Sequence, residues 1–124
     1  MNEKKEILII DDDSKNIFAL SAVLKARKYS CLSALSAKEG LSLMEQNPNI
    51  GAVLMDMMMP EMDGYEAIVR MKADENLKNI PVIAVTAQAM TGDREKCLEA
   101  GADGYISKPV NVDELLQLLN QIMN

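Results

Sequence analysis

The sequence predicts an α/β fold, a doubly wound three-layer sandwich around a five-stranded parallel sheet with five helices. Three observations predict it. Short apolar runs alternate five times with segments of helical character. Each helical segment is about ten residues or longer, enough for a right-handed crossover between parallel strands. The strongest runs are continuously apolar rather than alternating, as in strands covered on both faces.

Ile7-Leu8-Ile9-Ile10 marks the first strand, 6–10, and runs straight into Asp11-Asp12-Asp13. Asp13 or Ser14 then caps a helix over 14–28. A second strand spans 30–34, and Ser36-Ala37-Lys38-Glu39 forms a capping box for a helix at 37–47, closed by Asn47-Pro48-Asn49. Val53-Leu54-Met55 places the third strand at 51–55, running into Asp56, with a helix at 64–74 behind it. Val82-Ile83-Ala84-Val85 places the fourth at 80–85, running into Thr86, and the next helix, 91–100, stops at Ala100-Gly101. The fifth strand, 103–106, carries Tyr105-Ile106-Ser107 into Lys108-Pro109, and the last helix covers 112–123. Ligands of open α/β sheets bind outside the carboxyl ends of the strands. Acids, a hydroxyl and an ammonium therefore meet at one edge, a place to hold a divalent cation and a phosphoryl group.

Composition excludes several classes. The 124 residues suit one domain, 1–124, and the net charge of −6 with no Lys/Arg cluster against phosphate argues against nucleic acid. No signal-peptide core or membrane-length apolar run occurs, so no membrane partner and a cytoplasmic location are expected. Cys31 and Cys97 are isolated and lack metal-ligand spacing; both are expected as reduced thiols. The chain has no His, which removes Ser-His-Asp and Cys-His catalysis and imidazole metal sites.

The first helix carries a separate signal. At 100° per residue, Leu20, Val23 and Arg27 share a sector with Leu24 alongside. Phe18, the only Phe, falls about 160° from Leu20, among Ser21, Lys25 and Lys28, with Ile17 flanking it. An exposed apolar pair, Ile17 and Phe18, reads as a partner site.

Six segments together resemble the receiver domains of two-component response regulators, over essentially the whole chain. They are Ile9-Ile10-Asp11-Asp12, Leu54-Met55-Asp56-Met57-Met58-Met59-Pro60, Met62-Asp63-Gly64, Ile83-Ala84-Val85-Thr86-Ala87, Gly101-Ala102-Asp103-Gly104-Tyr105 and Lys108-Pro109. The resemblance implies a flavodoxin-like strand order 2-1-3-4-5, which makes the first and third strands neighbours. It implies that Asp56 accepts a phosphoryl group from a phosphohistidine donor, either a sensor histidine kinase or a histidine phosphotransfer protein. It implies Mg²⁺ held by Asp11, Asp12, Asp56 and the backbone carbonyl of Met58. By the same resemblance Thr86 and Lys108 contact the phosphoryl oxygens, and Tyr105 moves inward as the threonine moves. The Lys108-Pro109 peptide is expected to be cis, and Gly64 to supply backbone freedom near the acceptor. The first helix, with Ile17 and Phe18, is expected to dock the donor, and output is expected through a downstream protein partner.

Two contexts stay open. The stretch from Ala87 to Cys97 resembles receivers fused to hybrid histidine kinases, whereas a start at Met1 and a helix at 112–123 suit a stand-alone regulator. In either the domain would catalyse only its own phosphorylation and dephosphorylation. The rival enzyme reading is a haloacid-dehalogenase-type phosphatase, for which Asp11-Asp12-Asp13 supplies Asp-x-Asp. Lys15 stands where that motif wants Thr or Val, and the reading leaves Asp56 unused.

Overall fold

The computed structural model describes residues 6–59, 64–86 and 93–123. Its elements, in chain order, are β1 (Glu6–Ile10), α1 (Ser14–Ala26), β2 (Ser30–Ala34), α2 (Ala37–Gln46), β3 (Ile50–Asp56), α3 (Gly64–Ala73), β4 (Val82–Thr86), α4 (Asp93–Ala100), β5 (Gly104–Ser107) and α5 (Val112–Met123). All neighbouring strands are parallel, in the order β2-β1-β3-β4-β5. Pro60, Met62, Asp63, Ala87 and the expected first residues of the fourth helix, 91–92, lie outside the described residues.

Two apolar layers sandwich the sheet. Alternate residues of the central strands serve opposite faces. Ile7, Ile9, Ala52, Leu54, Ile83 and Val85 pack with Leu24 of α1 and with Leu115 and Leu119 of α5. Leu8, Ile10, Val53, Met55 and Ala84 pack with Met44 of α2, Ile68 and Met71 of α3, and Cys97 of α4. Coverage on both faces is why the central strands read as unbroken apolar runs.

Several boundaries differ from expectation for local reasons. β3 starts at Ile50 because Gly51 is accommodated as a register shift: Ile50 pairs with Glu6, but Ala52 pairs with Ile7. β4 starts at Val82, since Ile80 N–H turns back to Leu77 O and Pro81 has no N–H. It extends to Thr86, which pairs with Ser107 and accepts Lys108 N–H at 2.7 Å. The carboxylate of Asp103 accepts from Val82 N at 2.9 Å and Lys72 Nζ at 3.1 Å, which leaves β5 to begin at Gly104.

Helix ends follow capping chemistry. Asp13 caps α1 through Lys15 N at 2.9 Å. Ser36 Oγ accepts from Glu39 N at 3.1 Å, but the Glu39 carboxylate reaches Leu35 N, one residue beyond the reciprocal partner of the expected box. α1 stops two residues early. Lys28 takes φ 72°, with Lys28 N–H to Lys25 O and Tyr29 N–H to Leu24 O, a Schellman ending without glycine. Gly101, at φ 121°, closes α4 by the same pair of bonds, to Leu98 O and Cys97 O. The early stop corrects the α1 reading: Arg27 is an exposed C-cap rather than an inward residue, and Ser21 is half-buried.

Candidate phosphoacceptor site

β1 and β3 lie side by side, with Ile10 paired to Met55. Their next residues, Asp11 and Asp56, therefore emerge together at the carboxyl edge of the sheet. Asp11, Asp12 and Asp56 each offer a carboxylate oxygen, and these oxygens lie within 4.8 Å of one another. Asp11 and Asp56 are buried, and Asp12 is exposed.

The buried acids are held by backbone and by one cation. Asp13 N–H donates to Asp11 Oδ1 at 2.8 Å, and Met58 N–H donates to Asp56 Oδ1 at 3.0 Å. Lys108, carried past the end of β5 on a cis peptide to Pro109, places Nζ 3.5 Å from Asp11 Oδ2 and 3.7 Å from Asp56 Oδ1. The two buried carboxylates thus share one ammonium, with the exposed Asp12 beside them. Burial pushes the Asp56 carboxyl up to about 6; the Met58 amide pulls it down, the Asp11 charge raises it, and Lys108 opposes that rise.

The net negative charge left at the cluster favours a metal ion. The cluster offers hard oxygen donors, which suit Mg²⁺, a cation that takes one or two carboxylates and keeps several waters. A divalent cation there would offset both the burial of the Asp56 charge and its repulsion by Asp11, which together raise its pKa.

The remaining expected residues fall as follows. Thr86 is buried at the end of β4, and its neighbour in the sheet, Val85, pairs with Asp56. Met58 is 51% exposed while its amide serves Asp56. Tyr105 is half-buried on edge strand β5, opposite Ala84. Phe18 is 77% exposed on α1. Ile17 is not its exposed partner: it is half-buried and packs with the α1–α5 core layer, because α1 turns it toward Leu24.

One contributor escaped the sequence reading, and a second serves the site by a different property than expected. Asn16 Nδ2 donates to Asp11 Oδ2 at 3.4 Å, and the available signal was its place three residues after the Asp13 cap. Gly64 is expected to supply backbone freedom, yet what the site takes from it is space. A Cβ there would stand 2.8 Å from Met57 Cα and 2.9 Å from the Asp56 carbonyl oxygen.

Comparison with known proteins agrees with this geometry. The family model of the response regulator receiver domain matches residues 7–120. The polar-differentiation response regulator DivK of Brucella ovis is 36% identical over 120 residues, covering 96% of each chain. Among solved structures, the receiver domain of a Pseudomonas aeruginosa sensor histidine kinase, which has a magnesium ion coordinated in its active-site cleft, is 34% identical. It superimposes with a TM-score of 0.87 over 96% of this chain and 97% of its own. A response regulator from Chloroflexus aurantiacus is 30% identical with a TM-score of 0.90, over 96% and 97%. The phosphatase reading finds no support in any of these.

Proposed function

Since the chain belongs to the response regulator receiver family, and is a receiver domain of phosphorelay signal transduction rather than an ordinary enzyme, we propose that Asp56 is its phosphoacceptor. The observation that carries this reading is the convergence of Asp11, Asp12 and Asp56 within 4.8 Å beside the Lys108 ammonium. An Asp56 oxygen forms the new P–O bond. The P–N bond of a phosphohistidine donor breaks, its electron pair stays on the imidazole, and that nitrogen takes a proton.

Asp11, Asp12, Asp56 and the Met58 carbonyl would hold Mg²⁺. When bound, the cation neutralises phosphoryl oxygen charge, without which a carboxylate is a poor nucleophile toward phosphorus. Lys108 turns from Asp56 to the transferred group as a compact point charge. The Thr86 hydroxyl donates to a phosphoryl oxygen, and Tyr105 on the adjoining strand responds. The added group brings about −1.5 to −2 charges and three acceptor oxygens, enough to bias a two-state element at α4 and β5.

Response regulator receivers interact with kinases and downstream partners. For this chain the donor is a sensor histidine kinase or a phosphotransfer protein, docked at Phe18 with Ile17 supporting it from the core side. The setting is the cytoplasm and the unit a single domain over 1–124, stand-alone or part of a hybrid kinase. No described helix is long and apolar enough to cross a membrane. Incubation with acetyl phosphate tests the acceptor. Label is expected only with Mg²⁺ and only with Asp56 intact; label that persists in Asp56→Asn, or that forms equally in EDTA, overturns the assignment.

A further inference from the structure

α1 presents a surface unlike the rest of the chain. From Ser14 to Lys28 there are four cations, Lys15, Lys25, Arg27 and Lys28, and no acid, within a protein of net charge −6. All four are exposed. None is ion-paired with an acid among the described residues, whereas Arg70, Lys72, Lys78 and Lys108 each are. Between the cations the exposed residues are Phe18 and the small side chains Ala19, Ala22 and Ala26.

The stripe also has a direction. Its N-terminal end adjoins the acidic pocket, through the Asp13 cap and the Asn16 bond to Asp11. Its C-terminal end holds Lys25, Arg27 and Lys28, beginning about 10 Å beyond Phe18 at 1.5 Å per residue. Flat alanine surface admits the backbone of another helix at close range, and a single Phe supplies an anchor.

Resting on the phosphoacceptor reading above, we propose that α1 selects its phosphohistidine donor by charge. The partner is a helical surface with an apolar depression for Phe18 and an acidic flank that meets Lys25, Arg27 and Lys28. The acids at the pocket repel that flank and the cations at the far end attract it, so the donor seats in one orientation, with its histidine toward Asp56. Charge complementarity of this kind acts on encounter rate and register, and weakens with salt.

The test uses two phosphorylated four-helix phosphotransfer domains as probes, one with an acidic and one with a basic surface around its histidine. Phosphoramidate serves as a donor with no surface at all. The wild-type chain should take phosphoryl from the acidic probe about tenfold faster than from the basic one at low salt, and the difference should shrink at high salt. Lys25→Glu/Arg27→Glu should reverse the preference, while phosphoramidate labelling stays as in wild type and the thermal midpoint falls only by a few degrees, the cost of acids at a helix C-terminus. Equal rates from both probes, or a preference that survives the double reversal, overturns the proposal. Sedimentation showing salt-sensitive self-association through these residues would overturn it too, by making a second copy the occupant. Failure of phosphoramidate to label wild type would instead sink the acceptor reading itself.

Discussion

Gly64 is packed against the backbone of Asp56: a Cβ at position 64 would stand 2.9 Å from the Asp56 carbonyl oxygen and 2.5 Å from Met57 Sδ. The sulfur could swing away, but the carbonyl belongs to the strand that positions the acceptor. Gly64→Ala should therefore destabilise the fold by about 1–3 kcal/mol, as overpacking does. It should also slow acetyl phosphate labelling by displacing the acceptor backbone. Thermal melts and labelling rates check both effects together; an alanine variant as stable and as reactive as wild type would show that the loop yields freely.

Asp56 makes stability depend on pH in an unusual direction. Its carboxyl titrates near 6 in the folded chain against an ordinary value of 3.8. The folded state thus holds a proton that the unfolded state has released, so stability without metal should fall as pH rises from about 4 to 6 and then level off. At pH 7 the lost stability is on the order of 3 kcal/mol. Asp56→Asn keeps the shape and removes the charge, so it should melt higher than wild type at pH 7 without metal. Mg²⁺ should raise the wild-type midpoint and leave the variant nearly unchanged.

Lys108 bridges Asp11 and Asp56 in the resting pocket. Lys108→Ala should leave Mg²⁺-dependent phosphorylation detectable, because the acids remain. It should abolish the phosphorylation-induced change in amide exchange over α4 and β5, because nothing then pulls on the transferred group from β5. Normal exchange changes in the variant would remove Lys108 from the relay.

Phe18, 77% exposed, leaves no cavity when truncated. Phe18→Ser should keep its thermal stability while transfer from a phosphohistidine protein slows roughly 30-fold, the loss of about 2 kcal/mol of anchor burial. Acetyl phosphate labelling needs no docking and should not change. Equal loss of both reactions would place the damage in the pocket.

Lys28 closes α1 at φ 72°, a conformation that costs a residue with a side chain about 1 kcal/mol and glycine almost nothing. Lys28→Gly should therefore raise stability by up to about 1 kcal/mol, read as a higher urea midpoint with an unchanged slope. Destabilisation would mean the lysine side chain makes a compensating contact.

The sequence by itself determined the strands, their parallel direction and the residues at their carboxyl ends, because a strand covered on both faces must be apolar throughout. Asp11, Asp56 and Thr86 stand out as the first polar residues after such runs, and Lys108 follows the shorter Tyr105-Ile106-Ser107. The resemblance to receivers added the strand order, and with it the adjacency of β1 and β3. Only the tertiary structure decided what depends on contacts distant in sequence. Ile17 and Phe18 look alike in the chain, and packing in the α1–α5 core layer half-buries one and leaves the other exposed. Asn16 reads as an ordinary polar helix residue until Asp11 is placed beside it. Gly64 reads as a turn until its missing Cβ is set against the Asp56 carbonyl. The raised pKa of Asp56 is likewise a property of burial first and of the Asp11 charge that Lys108 only partly offsets. Local sequence encodes which residues are apolar; Coulomb and steric terms act between residues that only the folded chain brings together.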